Sequence, residues 1–166
     1  MKSAEYWINN LNLRAHPEGG FYKELYRSPE EISQLGLPDR FRGTRSLSTS
    51  IYFLLTSQDR SLFHRIKSDE VWYYHAGSSL TLYILNKDGF VSPVLGPAVD
   101  SGESLQVIIP AASWFGAIVN DKDSYTLSGC NVAPGFDFQD FELANRSALL
   151  TAFPAASEVI EFLTLE

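Results

Sequence analysis

The sequence predicts an all-β domain with a short helix at each end. From residue 44 onward, short runs rich in Tyr, Phe, Ile, Val and Thr recur at close spacing: STSIYFLLTS, SLFHRI, EVWYYHAG, LTLYILN, SLQVIIP, SWFGAIV and YTLSGCNV. Turn-forming clusters separate them, among them Ser57-Gln58-Asp59, Lys87-Asp88-Gly89 and Asp121-Lys122-Asp123. No internal repeat, low-complexity segment or linker interrupts the pattern, so residues 1–166 read as one domain built as a sandwich or barrel.

The elements follow in order. Residues 3–12 predict a helix: Ser3 can cap it, Glu5 stands in the first turn, and Trp7, Ile8 and Leu11 form one apolar stripe. A Pro/Gly turn then leads into alternation, with Phe21, Lys23 and Leu25 against Tyr22, Glu24 and Tyr26, which predicts a strand. Residues 28–43 are a polar, Pro/Gly-punctuated excursion expected to be a surface loop with one helical turn. After the β runs, Pro134-Gly135 with Phe136, Phe138 and Phe141 reads as a turn and an apolar clamp. Val159, Ile160, Phe162 and Leu163 mark an amphipathic C-terminal helix.

Composition removes several function classes. A chain of 166 residues with 45% hydrophobic content can bury a real core. A net charge of -7 argues against a phosphate-backbone surface, so neither nucleic acid nor an anionic membrane is an expected partner. The lone Cys130 cannot close an internal disulfide, and no C-x-x-C or His-rich tract suggests a structural zinc. The N-terminus lacks an apolar signal region and no apolar run approaches membrane-spanning length, which makes a cytoplasmic location the expectation. There is no G-x-S-x-G elbow and no glycine-rich phosphate loop.

Chemistry concentrates in FHRIKSDEVWYYHAG, residues 63–77, which holds two of the three histidines (His16, His64, His75). Alternation along a strand puts Glu70, Trp72 and Tyr74 on one face. His64 and Glu70 are then expected to share an enclosed cavity, close enough to bond each other or a ligand, with Ile66, Trp72, Tyr74 and Phe115 as wall. A satisfied polar pair inside a core is the bland alternative, but inward polar groups are costly unless something uses them. His16, before Pro17, reads as a turn or interface residue, and Glu18-Gly19-Gly20 as a turn tolerant of positive φ. Arg27 and Arg45 suit a ligand carboxylate or phosphate, or structural ion pairs with Glu24 or Asp69. Cys130 reads as a buried structural cysteine.

His64 and Glu70, followed by Gly77 and by a second block GESLQVIIPAASWFGA with Pro110 as its turn, resemble the two motifs of the cupin superfamily. In metal-binding cupins the first motif supplies two histidines two residues apart and a glutamate, and the second supplies a third histidine. Here Ile66 stands at the second histidine position, Ala112 at the second motif's glycine and Phe115 at the third histidine. Two ligands remain of four, so no metal is expected. A degenerate metal site completed by His75 or by water is the variant to test.

HPEGGFYKELYRS, RSLSTSIYFLL, FHRIKSDEVWYYHAG and GCNVAPGFDFQDFEL together resemble cupin family five, single-domain cupins without an assigned function. The resemblance implies a double-stranded β-helix, or jelly-roll barrel, and commonly a homodimer. It is distantly similar to the dTDP-4-dehydrorhamnose 3,5-epimerases, which use a barrel histidine as base and a tyrosine as acid, and need no metal. That implies a metal-independent isomerase or epimerase acting on a sugar-like or small polar metabolite. His64 would be the base, Glu70 would orient it, and a tyrosine among Tyr52, Tyr74 and Tyr83 would be the acid. Tyr74 is the first choice. Tyr52, Ile66, Trp72, His75, Phe115 and Arg45 would contact the ligand. On this reading His64→Ala abolishes turnover and leaves the fold intact. A ligand-binding or sensing module without chemistry is the alternative.

Overall fold

In the computed structural model, which describes residues 2–166, the chain opens with α1 (Ala4–Leu11), whose N-cap Ser3 accepts a hydrogen bond from the Tyr6 amide. Trp7, Ile8 and Leu11 on its apolar stripe pack against Leu13, Leu54, Tyr125 and Leu127. The strands that follow are β1 (Arg14–Ala15), β2 (Phe21–Arg27), β3 (Glu31–Ile32), β4 (Arg45–Ser46), β5 (Thr49–Thr56), β6 (Ser61–Arg65) and β7 (Asp69–Gly77). They continue as β8 (Leu80–Asn86), β9 (Gly89–Val91), β10 (Val94–Leu95), β11 (Gln106–Ile109), β12 (Trp114–Val119), β13 (Tyr125–Ala133) and β14 (Glu142–Leu143). Each β run of the sequence becomes one of these strands.

One sheet has the order β1-β2-β5-β13-β7-β11, and a second has β10-β8-β12-β6-β14 with β9 beside β8. All pairings within them are antiparallel. The two inner faces share one core, in which Phe53, Leu55 and Trp72 of the first sheet meet Leu82, Ile84, Phe115 and Ala117 of the second. The jelly-roll architecture expected from the sequence is therefore present. On the outside, α1 covers the first sheet. Phe63, Leu85, Tyr83, Trp114 and Ile118 on the second sheet pack under the C-terminal residues Leu149, Ile160 and Leu163.

The expected C-terminal helix is α3 (Ser157–Phe162), and a further helix, α2 (Arg146–Ala152), precedes it. Asn145 caps α2 by accepting from the Ala148 amide, and the break follows at Phe153-Pro154, where proline cannot continue a helix. The 28–43 excursion contains the expected helical turn, Gln34–Gly36, together with β3, which pairs with β4. Among the described residues no helix is long and apolar enough to cross a membrane.

Candidate functional site

A cavity of about 150 Å³ opens between the sheets at one end of the barrel. Its closed end is formed by His64, Glu70, Trp72 and Cys130, all at most 8% exposed. Ile51, Phe53, Ile66 and Val132 supply carbon walls, and Tyr22, Phe136, Phe138 and Phe141 an aromatic rim. Arg14, Glu24 and Arg27 stand exposed at the mouth. Strand parity explains the placing. Glu70 and Trp72 on β7, Ile51 and Phe53 on β5, and Cys130 and Val132 on β13 alternate inward across three neighbouring strands.

The closed end is organised by a residue that sequence reasoning read only as part of a turn. Glu18 is 5% exposed, and its carboxylate accepts from the Ser61 hydroxyl at 2.8 Å and lies 2.9 Å from His64 Nε2. The other nitrogen of His64, Nδ1, donates to the Leu62 carbonyl at 2.7 Å. Both ring nitrogens therefore carry protons, and His64 is an imidazolium facing a carboxylate. Burial acts to lower the His64 pKa, but the Glu18 charge and hydrogen bond, helped by the Leu62 carbonyl and Glu70, raise it above 6.5. Burial likewise acts to raise Glu18, and the charge and hydrogen bond of His64, with His16 and Ser61, bring it below 4.5.

Glu70 has the opposite balance. Burial first, and the Glu18 charge second, push its pKa up from 4.5 to about 7, against the positive His64 and the nearby Trp72 N–H and Cys130 thiol. The Trp72 N–H is close enough to favour the carboxylate, yet among the described residues it meets no acceptor at hydrogen-bond geometry. His16 lines the cavity edge-on to Tyr22, with ring centres 4.6 Å apart, and its Nδ1 accepts from the Glu18 amide at 3.3 Å. Nδ1 also lies 3.5 Å from the Glu18 carboxylate, but burial disfavours the charged ring, and the amide contact then puts the proton of neutral His16 on Nε2. Burial lowers the His16 pKa, with the Glu18 charge opposing and the like charge of His64 adding to the shift. Burial, with Glu70 and Glu18 behind it, holds the Cys130 thiol well above 9.0, so it is protonated and inert.

Of the residues expected in the site, His64, Glu70, Ile66 and Trp72 line the cavity. The others are corrected. His64 is paired with Glu18 rather than oriented by Glu70, and it has no lone pair free to act as a base. Tyr74 shares the inner face of β7, but its hydroxyl donates to the Gly77 carbonyl at 2.6 Å, and its partly buried ring packs against the core without lining the cavity. Phe115 lies under His64, ring centres 4.1 Å apart, fully buried and without access to the cavity. Tyr52 and His75 meet edge-on, 5.8 Å apart, on the outer face of the first sheet, where Tyr52 packs in the cluster covered by α1. His75 lies over Gly129 and is the unpaired residue of a bulge, since Ala76 pairs with Leu127 and Tyr74 with Ser128. Tyr83 also faces outward, stacked on Phe90.

Arg45 is buried in a bidentate pair with Asp140, at 2.6 and 2.7 Å, rather than with Asp69 or a ligand. It holds the 138–141 segment whose Phe138 and Phe141 line the cavity. Arg27 makes the expected pair with Glu24.

These contacts also decide the fit of a metal at the cupin position. The His64 nitrogen that would coordinate it points at Glu18, Ile66 and Phe115 offer carbon, and His75 is outside the barrel. Among the described residues no three His, Cys, Asp or Glu side chains are grouped to hold an ion. The donor set does not fit a divalent cation.

Glu18 reaches the barrel interior because Gly19 turns the chain with φ +112°, where a Cβ would overlap the Arg60 carbonyl oxygen. Gly19→Ala is expected to withdraw Glu18 from His64 and cost on the order of 2 kcal/mol. Thermal unfolding checks the loss. A His64 proton titration should show its pKa falling, and an unchanged titration would contradict the role given to the turn.

The sequence resembles known proteins over most of its length. A family model described as Cupin superfamily (DUF985) matches residues 5–144. An uncharacterized protein of Saccharomyces cerevisiae, YML079W, is 29% identical over 147 residues, 83% of this chain and 73% of that protein. A hypothetical protein from Leishmania major has a solved structure with TM-score 0.90 and 36% identity, covering 99% of this chain and all of its own. Protein SO0799 from Shewanella oneidensis has TM-score 0.86 and 39% identity, with 99% of each chain covered. Oxalate decarboxylase from Bacillus subtilis shares the fold alone, at TM-score 0.54 and 14% identity, over 90% of this chain and 36% of that one.

Proposed function

This chain belongs to the cupin superfamily family DUF985, and we propose that its barrel binds a small polar metabolite and moves a proton on it without a metal, as an isomerase or epimerase does. The observation that carries the reading is Glu70: a carboxyl at the closed end of a cavity, without an ion-pair partner among the described residues, poised at about 7. A general acid–base group works best with its pKa near the operating pH, because both protonation states are then populated. The buried pair of Glu18 and His64 keeps a fixed charge arrangement beside it. The Trp72 N–H, which has no hydrogen-bond partner among the described residues, supports the reading, since an oxygen of the ligand would supply one.

Glu70 would take a proton from a carbon next to a carbonyl and return it to the same or the adjacent centre. His16 Nε2–H and Trp72 N–H would stabilise the oxygen on which negative charge develops. The roles differ from those expected from sequence, because the acid–base group is the glutamate and the imidazole of His64 stays charged throughout.

The test is solvent exchange. Thermal-shift screening of sugar phosphates, nucleotide sugars and small carboxylates finds binders, since a ligand that binds only the folded state raises its melting temperature. Each binder is then incubated with the protein in heavy water and followed by proton NMR. Deuterium should appear on the carbon beside the carbonyl, with a rate that rises through a pH near 7, and Glu70→Gln should abolish it. Exchange that survives Glu70→Gln would overturn the reading.

A further inference from the structure

The groups that crowd the closed end of the cavity are hydrogen-bond donors. Trp72 is 1% exposed, and its indole N–H lies near the Glu70 carboxyl but has no partner at hydrogen-bond geometry among the described residues. The neutral His16 presents Nε2–H, and Glu70 carries a proton in much of the population at neutral pH. The one fixed anion, Glu18, already spends its oxygens on Ser61 and His64. A ligand group entering here must accept hydrogen bonds, and a neutral oxygen suits the site better than a second carboxylate placed against Glu18.

The mouth presents the complementary demand. Arg27 is neutralised by Glu24 through two hydrogen bonds, at 3.1 and 2.7 Å. Arg14 stacks 5.0 Å over Tyr22 and has no ion-pair partner among the described residues. In a protein of net charge -7 it is a cation left free at the mouth of a cavity whose closed end is lined by donors. A void of about 150 Å³ holds a molecule of benzene size, so a ligand reaching from Trp72 to Arg14 is small.

We infer that the ligand is a small oxo compound with an anionic group, its carbonyl oxygen received by Trp72 and its carboxylate or phosphate held at the mouth by Arg14. The assignment rests on the proton-transfer reading for its chemistry, since a carbonyl is what acidifies the neighbouring carbon, and on the unpartnered N–H and the free guanidinium for its geometry.

The chain has three tryptophans, so the indole N–H signals in a nitrogen–proton correlation spectrum are few, and Trp72→Phe identifies the one that matters. Two oxo anions serve as probes: dihydroxyacetone phosphate and levulinate. Their alcohol counterparts, glycerol phosphate and γ-hydroxyvalerate, lack the carbonyl, and dihydroxyacetone lacks the anion. At millimolar concentration at least one oxo anion should move the Trp72 signal, and whichever binds tighter tells phosphate from carboxylate. The alcohols should leave the signal in place. Arg14→Gln should weaken the oxo anion by about tenfold and leave dihydroxyacetone unaffected.

Silence of Trp72 to both oxo anions, equal shifts by the alcohols, or an Arg14→Gln variant of unchanged affinity would each overturn the inference. Binding as expected without deuterium exchange would instead remove the proton-transfer reading and leave the ligand class standing. Exchange on neutral carbonyl compounds without dependence on Arg14 would do the reverse.

Discussion

Glu70→Gln is expected to stabilise this protein at alkaline pH while removing its proton transfer. The sign follows from the direction in which the carboxyl is displaced. Glu70 titrates at about 7 when folded, against an ordinary 4.5. Between those values the unfolded chain releases its proton and the folded chain keeps it, so stability is fully present below pH 4.5 and is lost as pH rises through 7. A tenfold difference in proton affinity corresponds to about 1.4 kcal/mol, which makes the full loss on the order of 3 kcal/mol for a group this deeply buried. Glutamine has no proton to release and escapes the loss. At this chain length that difference corresponds to very roughly 6–12 °C in melting temperature.

Melting curves of the two proteins should therefore lie close together at pH 4 and separate progressively up to pH 7, with no further divergence above it. Parallel curves across that range would show that Glu70 titrates normally, and the site would lose its acid–base group. Such a cost to stability marks a functional group, because a merely structural carboxyl would be expected to contribute stability rather than to subtract it.

Strand parity makes much of the barrel interior readable from the chain alone. It puts Glu70, Trp72 and Ile66 inside, and the same rule places carbon at Ile66 and Phe115 where a metal cupin has histidines. Tyr74 shows where parity stops being informative. It faces inward as expected, but depth along the strand, which alternation does not encode, puts it partly buried against the core, away from the cavity. Tyr52 fails for the complementary reason. Its neighbours Ile51 and Phe53 take the inner face of β5, so Tyr52 must point to the α1 side.

Glu18 and His16 escape a reading of the sequence because their importance arises from pairing distant in the chain. The β2–β5 register, with Phe21 opposite Leu54 and Tyr22 opposite Phe53, carries the HPEGG turn beside β6, where the Glu18 carbonyl accepts from the Leu62 amide. Nothing local to the turn announces that register. A usable signal is present in composition: all three histidines, with Glu18 and Glu70, fall in two of the four segments that resemble the family. The phenylalanines at 136, 138 and 141 are legible as apolar, and only the Arg45–Asp140 clamp shows that they line a cavity rather than a core.

The pairing of Glu18 with His64 changes what His64→Ala is expected to do. A general base can be removed with the fold intact, whereas removing one partner of a buried ion pair leaves the other charged and uncompensated. The expected loss is about 3–5 kcal/mol, enough to unfold a marginal domain. Adding Glu18→Gln to His64→Ala removes the stranded charge. The double variant should recover part of the loss, with a coupling energy of about 2 kcal/mol between the sites.

The coupling should also depend on pH in a stated direction. His64 has a raised folded pKa, so its contribution is full below 6.5 and is lost as pH rises through that higher value. Glu18 has a lowered one, so its contribution is full above 4.5 and is lost as pH falls through the lower value. Both partners contribute fully between 4.5 and 6.5, and the Glu70 penalty grows across the same interval. The two effects together place the stability maximum of the wild-type protein on the acid side of neutrality. Denaturant titrations of the wild type, both single variants and the double variant at pH 5.5 measure the coupling where it is largest. Additive losses there would mean that His64 and Glu18 act independently. The imidazole would then be free to serve as a base, and Glu70 would have a competitor for the acid–base role.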